Sequence, residues 1–255
     1  LNEIIKKDLV TVKPETEAET VAQLVAHYDF IAIPVVDDSQ KLLGIVTVDD
    51  VLDIIQDEAT ANIYAQAGLQ EDDRVYTPPI KSIQNRLPWM FLNLVLAALA
   101  STVVSFFEQT MSELIILASL KNIVAGMGGN TAIQTLTVVT RGIATGDFNF
   151  TSHLRAILKE VSVGLSIGVV TGLSAGLLTY VWKDSLLVSI VICISMILNS
   201  LIASSAGAII PLLLKKTGWD PAVGSGVLVT MITDIFGFFS FLGIASLGLK
   251  LTGAM

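Results

Sequence analysis

Between Pro221 and Gly248 the chain carries one ionisable residue, Asp234. The stretch is long enough to cross a bilayer, for which about 20 mostly apolar residues suffice. A carboxylate near the middle of such a span is expensive, and it points to an ion or proton site facing a wet interior. Gly226, Thr230, Asp234 and Gly237 follow at spacings of four, four and three, which puts them on one helical face. Small residues and a hydroxyl leave room there for a hydrated ion or for a close helix. The alternative is a protonated or hydrogen-bonded Asp234 that only joins helices.

A second run, NIVAGMGGNTAIQTLTVVTRG at 122–142, holds Gly126, Gly128 and Gly129, too many glycines for a tight helix interior without cause. Gly126, Asn130, Gln134 and Thr137 share a face. Thr131 and Thr135 lie beside it in a row that turns apolar at Val138 and Val139. A glycine-loosened polar segment at membrane depth is tolerated only beside protein or water. Small-residue packing with amide hydrogen bonds is the other reading, and both can hold in a narrow pore.

These residues need a membrane-embedded scaffold, and the composition supplies one. The 255 residues are 53% hydrophobic, with a mean hydropathy of +0.72, far more apolar than a soluble domain of this size needs. Five spans are expected, at about 89–107, 114–139, 157–182, 186–214 and 221–249. The short Lys183-Asp184 loop between the third and the fourth forces an antiparallel hairpin. Lys81, Arg86, Arg141, Arg155, Lys159, Lys215 and Lys216 fall on one side, and the positive-inside rule makes that side cytoplasmic. Lys121 lies inside the second span and is expected to snorkel or to face a cavity.

Charge is split unevenly. Residues 1–88 hold 7 Lys and Arg against 16 Asp and Glu, a net of −9, while residues 89–255 carry +1. An acidic soluble part argues against nucleic acid and against anchoring on anionic lipid, and suits divalent cations. The lone cysteine, Cys193, excludes a disulfide framework and a cysteine metal site. The N-terminus is charged and has no apolar signal core. It begins with Leu1, which leaves room for an upstream part. His27 and His153 are far apart and Cys193 lacks a partner, so no enzyme is expected.

Residues 1–66 alternate strands and helices. A short strand ends at the Lys13-Pro14 turn, and a helix follows with Thr16 as cap and Glu19 three residues on. Its apolar stripe is Val21, Leu24 and Val25. Strands IAIPVVDD and LLGIVTV flank a DSQK turn. The next helix opens with Asp49, Asp50 and Asp53, which its dipole favours. The run A-x-P-V-V-D, then L-x-G-I-V-T-x-D-D-V, resembles a CBS (cystathionine-β-synthase) motif. Such motifs work in pairs and often bind adenine nucleotides. The resemblance implies Thr47 near phosphate and Asp49, Asp50 or Asp53 near ribose, or equally a cleft that stays empty. Residues 67–88 read as a polar connecting helix that either transmits movement or is a passive spacer on the headgroups.

Four motifs together resemble the MgtE family of magnesium transporters and channels: G-M-G-G-N-x-x-x-Q-T-x-T-V-V-x-R-G, D-P-A-x-x-S-G-x-x-V-T-x-x-x-D-x-x-G-F, G-I-V-T-V-D-D-V-L-D and P-P-x-x-S-x-x-x-R-L-P-W. The fold expected is an α-helical membrane protein of five spans (89–255), preceded by a small cytosolic α/β CBS motif (1–66) and a connecting, or plug, helix (67–88). The resemblance implies a homodimer, with lipid and Mg2+ as its other partners, and a pore on the two-fold axis lined by spans two and five. It implies a bacterial inner or plasma membrane, with the N-terminal part cytosolic. Asp234, the Thr230 carbonyl, Gly226, Asn130 and Gln134 are the implied pore set. Asp220, Asp50, Asp53 and Glu58 are the implied regulatory metal set, with ATP a further candidate regulator. The family's acid-rich EATED run reads Glu58-Ala59-Thr60-Ala61-Asn62 here, two acids short. Rival readings are a Co2+, Ni2+ or broader divalent transporter, and a nucleotide-sensing membrane signalling protein.

Overall fold

The computed structural model describes residues 9–69, 73–145, 148, 153–218 and 225–252, less the side chain of Asn62. The chain divides into two compact units, Leu1–Tyr64 and Ala65–Met255.

The first unit contains α1 (Ala18–Tyr28), β1 (Ala32–Val36), β2 (Leu42–Thr47) and most of α2 (Val48–Gln66). The strands are antiparallel, with Ala32 opposite Thr47 and Val35 opposite Gly44. The strand expected before Pro14 is a single bridging residue, Val12, parallel to Val35. Pro14 has no N–H and a fixed φ, so the ladder cannot continue. Val21, Ala22 and Val25 of α1 bury against Val12, Ile33 and Val51, with Leu24 half-buried beside them. Thr16 is not the helix cap. Its Oγ1 accepts from the Lys13 N–H at 3.1 Å in the preceding turn, and Glu17 occupies the cap position without a side-chain bond. Asp37 closes the hairpin, accepting from Ser39 Oγ at 2.6 Å and from the Lys41 and Ser39 N–H groups at 2.8 and 2.9 Å. The Ser39 hydroxyl leads these bonds in holding the Asp37 carboxyl below the usual carboxylate range.

The second unit is all helix among its described residues: α3 (Pro79–Ser105), α4 (Glu108–Glu113), α5 (Ile116–Ala144), α6 (His153–Lys183), α7 (Leu186–Lys216) and α8 (Ser225–Thr252). Among the described residues of 67–88 no separate connecting helix stands, because residues 79–88 are the first turns of α3. Pro88 lies inside α3 without ending it. The chain entering α3 is tied down by Asp73, which is 3% exposed. Its carboxylate accepts from Arg86 Nε and from Ser82 Oγ, each at 2.6 Å. Arg86, ahead of Ser82, holds the Asp73 carboxyl below its usual range.

Among the described residues, four helices are long and apolar enough to cross a membrane: α3, α6, α7 and α8, of 27, 31, 31 and 28 residues. Helix α5 has the length, 29 residues, but its glycines, threonines, Asn130 and Gln134 dilute its apolar character. Helix α7 is central, packing against α5, α6 and α8, while α3 leans on α8. Its buried face runs from Val188 to Pro211 and includes Ser195, Asn199, Ser200 and Ser204. The α6–α7 hairpin is as tight as expected. Asp184 takes a left-handed φ of 48°, its N–H reaching Tyr180 O at 2.8 Å, and Ser185 caps α7. Lys121 sits over the Phe238 ring of α8, 5.6 Å from its centroid.

Gly164, Gly168, Gly172 and Gly176 recur every fourth residue along α6, all buried. A Cβ would lie 2.1 Å from Ser204 Oγ at Gly164, 2.8 Å from Ser200 Cβ at Gly168, 2.7 Å from the Cys193 carbonyl at Gly172, and 3.0 Å from the Ser189 carbonyl at Gly176. The two helices therefore meet backbone to backbone, which lipid-embedded helices use in place of a hydrophobic drive. Gly172→Ala puts a methyl against a carbonyl that cannot move away. It should lower stability by about 1–3 kcal/mol, as overpacking does, read as a lower thermal midpoint in detergent. Gly243→Ala, where a Cβ would meet only Phe107 at 3.9 Å, should leave the midpoint unchanged or raised.

Candidate functional site

Helix α8 places Asp234 more than two turns from its first described residue. Thr230 Oγ1 donates back to Gly226 O at 2.8 Å, and Thr233 Oγ1 to Thr230 O at 2.9 Å. Both hydroxyls are thus satisfied within the helix, a common fate of threonine in an apolar span. Thr230 is exposed and Asp234 half-buried. No hydrogen bond or ion pair reaches the Asp234 carboxylate from the described residues. The reading in which it joins helices has no partner for it among them.

Gly237 does not share the open face. It is buried, and a Cβ there would lie 2.9 Å from Asn199 Nδ2 of α7. Gly226 is half-buried, and a Cβ there would lie 2.8 Å from the carbonyl of Gln66. The open face of α8 is therefore Thr230 and Asp234, bounded by a glycine at each end.

Helix α5 has two polar rows with opposite fates. Gly126, Asn130, Gln134 and Thr137 are exposed, and a Cβ at Gly126 would meet nothing within 4 Å. Thr131 and Thr135 are buried. Thr135 faces α7, where its Cβ lies 3.0 Å from the Cβ position of Gly207. The glycine run is explained in part by the same packing. A Cβ at Gly128 would lie 2.1 Å from Asn199 Nδ2, whereas Gly129 opens on empty space.

Gln66, the last residue of α2 and part of the second unit, joins the two faces. Its Nε2 donates to Thr140 Oγ1 at 3.1 Å, and its Oε1 accepts from Thr137 Oγ1 at 3.4 Å, while its backbone carbonyl abuts Gly226. Thr137 of α5 and Gly226 of α8 therefore flank one residue. Neither Gln66 nor Asn199 carries a spacing or motif that marks it in the sequence.

In the first unit, Thr47 and Asp50 are bound to each other. Asp50 Oδ2 accepts from the Thr47 N–H at 3.0 Å and from its hydroxyl at 2.6 Å. This is one half of a capping box at the start of α2, the carboxylate reaching back to the Thr47 N–H, and the Thr47 hydroxyl leads in holding the Asp50 carboxyl below its usual range. An incoming phosphate would find both Thr47 donors engaged and two aspartates, Asp49 and Asp50, in the first turn. These residues do not fit a nucleotide phosphate as they stand. Asp53 is exposed. Glu58 is half-buried, and burial first, then nearby Glu19, push its carboxyl above the usual range. Asp220 lies outside the described residues. Among those described, no group of three or more His, Cys, Asp or Glu converges on a metal-sized site.

Residues 121–244 match the family described as MgtE, divalent cation transporter, and residues 1–57 match the CBS domain. The chain is 37% identical over 248 residues to a protein of Enterococcus faecalis named magnesium transporter MgtE, covering 97% of this chain and 54% of that protein. A Bacillus subtilis protein of the same name is 35% identical over 230 residues, 90% of this chain and 51% of that one. One from Thermus thermophilus is 35% identical over 250 residues, 97% and 55%. The chain thus spans about half the length of these curated relatives.

The two rows of α5 can be told apart chemically. With Cys193 replaced by Ser, Asn130→Cys and Gln134→Cys should react with a water-soluble maleimide roughly tenfold faster than Thr131→Cys and Thr135→Cys, because a thiolate forms only where water reaches. Equal rates would mean that the exposed row faces lipid.

Proposed function

The chain belongs, through its membrane part, to the MgtE family of divalent cation transporters, and from that premise we propose that it passes Mg2+ down its electrochemical gradient. The pore lies on the two-fold axis of a homodimer and is lined by α5 and α8. Five spans cross a bacterial plasma membrane, with α5 as the fifth and residues 1–66 on the cytosolic side. The observation that carries this reading is the Asp234 carboxylate of α8, half-buried and unpaired among the described residues of its own chain, together with the exposed Asn130 and Gln134 of α5, a helix that packs on α8. The low apolar content of α5 supports it too, since a helix with one wetted face need not be apolar all round.

Mg2+ holds its octahedral water shell tightly, so a pore that stripped it fully would be slow. Two Asp234 carboxylates related by the dimer axis hydrogen-bond the ion through its waters and select by the size of the hydrated complex. Exposed Asn130 and Gln134 offer both donors and acceptors to those waters. Ca2+ accepts looser coordination and sheds water readily, so matching the hydrated size disfavours it. A negative interior contributes about 4.6 kcal/mol per 100 mV for a divalent ion, from about 2.3 per elementary charge.

Regulation follows from the acidic first unit. Asp53 and Glu58, with Asp50 and Asp220, are the proposed ligands for cytosolic Mg2+, and residues 67–88 connect that unit to the membrane part. A cation beside Glu58 relieves its repulsion from Glu19. Control by ATP would require Thr47 to exchange Asp50 for a phosphate.

Asp234→Asn should abolish Mg2+ flux into vesicles while the protein still assembles, and unchanged flux would remove the pore assignment. Asp220→Ala should leave the pore open at cytosolic Mg2+ levels that close the parent, with ion preference unaltered. If Asp220 serves only as a helix cap, worth about 1 kcal/mol, patch recording will show an unshifted closing curve.

A further inference from the structure

Asn199 lies in the middle of α7 and is 1% exposed. Its Nδ2 donates to the Val124 carbonyl of α5 at 2.8 Å. That carbonyl already faces the Gly128 N–H along the helix ladder, so the amide reaches it only because Gly128 has no side chain. A Cβ at Gly128 would lie 2.1 Å from Nδ2 and 2.8 Å from the amide carbon. From the other side, a Cβ at Gly237 of α8 would lie 2.9 Å from Nδ2. One side chain therefore fills a seat made of two glycines on two different helices. Its Oδ1 is buried and takes no hydrogen bond from the described residues, as does Ser195 Oγ one turn earlier on α7. Leaving a buried polar atom unpaired is destabilising. A leucine of similar size would avoid that cost but could not reach the Val124 carbonyl.

What the seat touches gives it a role. Gly128 stands two residues before Asn130, and Gly237 three residues after Asp234. We propose that Asn199 is a positioning residue for ion passage. It touches no ion and fixes the spacing between the Asn130 segment of α5 and the Asp234 segment of α8. This rests on α5 and α8 lining the pore. A bound amide has one length and one direction, so it sets that spacing more sharply than apolar packing, which slides. Charges or dipoles displaced by about 1 Å from a working geometry lose rate steeply.

The test uses the full chain in vesicles, with Mg2+ flux normalised to folded protein. Gly128→Ala should cut flux by roughly tenfold or more, and the double variant Gly128→Ala/Asn199→Ala should return it to within about threefold of the parent, since removing the amide empties the space that the methyl needs. Asn199→Ala alone should raise the half-saturating Mg2+ concentration by about threefold or more at unchanged folded yield, a change that lost packing alone would not cause. A double variant no better than Gly128→Ala overturns the proposal. So does an Asn199→Ala variant that only lowers thermal stability and keeps the parental half-saturation. If Gly128→Ala does not fold, recovery of folding in the double variant supports the seat, and the half-saturation of Asn199→Ala decides the positioning role. Asp234→Asn run alongside separates the two readings. If it keeps full flux, the pore assignment fails, and the seat is judged from the thermal midpoints of the single and double variants, where equal midpoints overturn it.

Discussion

The membrane unit depends on how closely its helices approach α7. Lipid tails are as apolar as leucine, so no hydrophobic drive brings these helices together. Contact has to come from dispersion and polar bonds at short range, and short range needs missing side chains. Four glycines of α6 lie against the backbone and small side chains of α7, and Gly128 and Gly237 admit Asn199. Gly207 of α7 itself sits where a Cβ would lie 2.7 Å from the Ala132 carbonyl of α5. Each of these close approaches is a glycine on one helix meeting backbone or a polar side chain on the other, while larger apolar side chains of α5, α7 and α8 fill a core beside them.

That arrangement has a consequence for the polar faces. Because α7 takes the Thr135 side of α5 and the Gly237 side of α8, one polar stretch of each helix is left exposed or half-buried. Asn130, Gln134, Thr230 and Asp234 stand on these stretches. Hydroxyls on these helices that could compete for an ion are mostly turned back onto helix carbonyls, as at Thr230, Thr131 and Thr137. Among the described residues, the Asp234 carboxylate and the Asn130 and Gln134 amides are left with unused hydrogen-bonding capacity. Gln66 then brings a backbone carbonyl to Gly226 and an amide to Thr137 and Thr140.

The first unit follows a different logic. Its acids are spent on local geometry as much as on cation affinity. Asp37 builds a turn and Asp50 a helix start, and both carboxyls are held below the usual range by those bonds. Glu58 is the contrast, with its carboxyl raised by burial and by Glu19. A high net negative charge therefore overstates how many acids stand ready to meet a cation.

Local composition and period were enough to place most of the helices, the α6–α7 hairpin, the isolated Asp234 and the two rows of α5. Each of these depends on residues within a turn or two of one another, or on a run of apolar length. The same reasoning missed in three places. The polar residues before the first apolar run suggested a separate connecting helix, yet the residues from Pro79 onward join α3, whose first turns are anchored by Asp73. Thr16 was expected as a cap and serves a turn instead. Gly237 was assigned to the ion face by spacing alone, although α7 covers it. The roles of Asn199 and Gln66 were invisible for a single reason: their partners lie some 70 residues or more away in the chain. Helical spacing says which residues share a face. Only the packed structure decides what that face meets, because a contact between distant helices depends on where each backbone comes close enough to exclude a side chain.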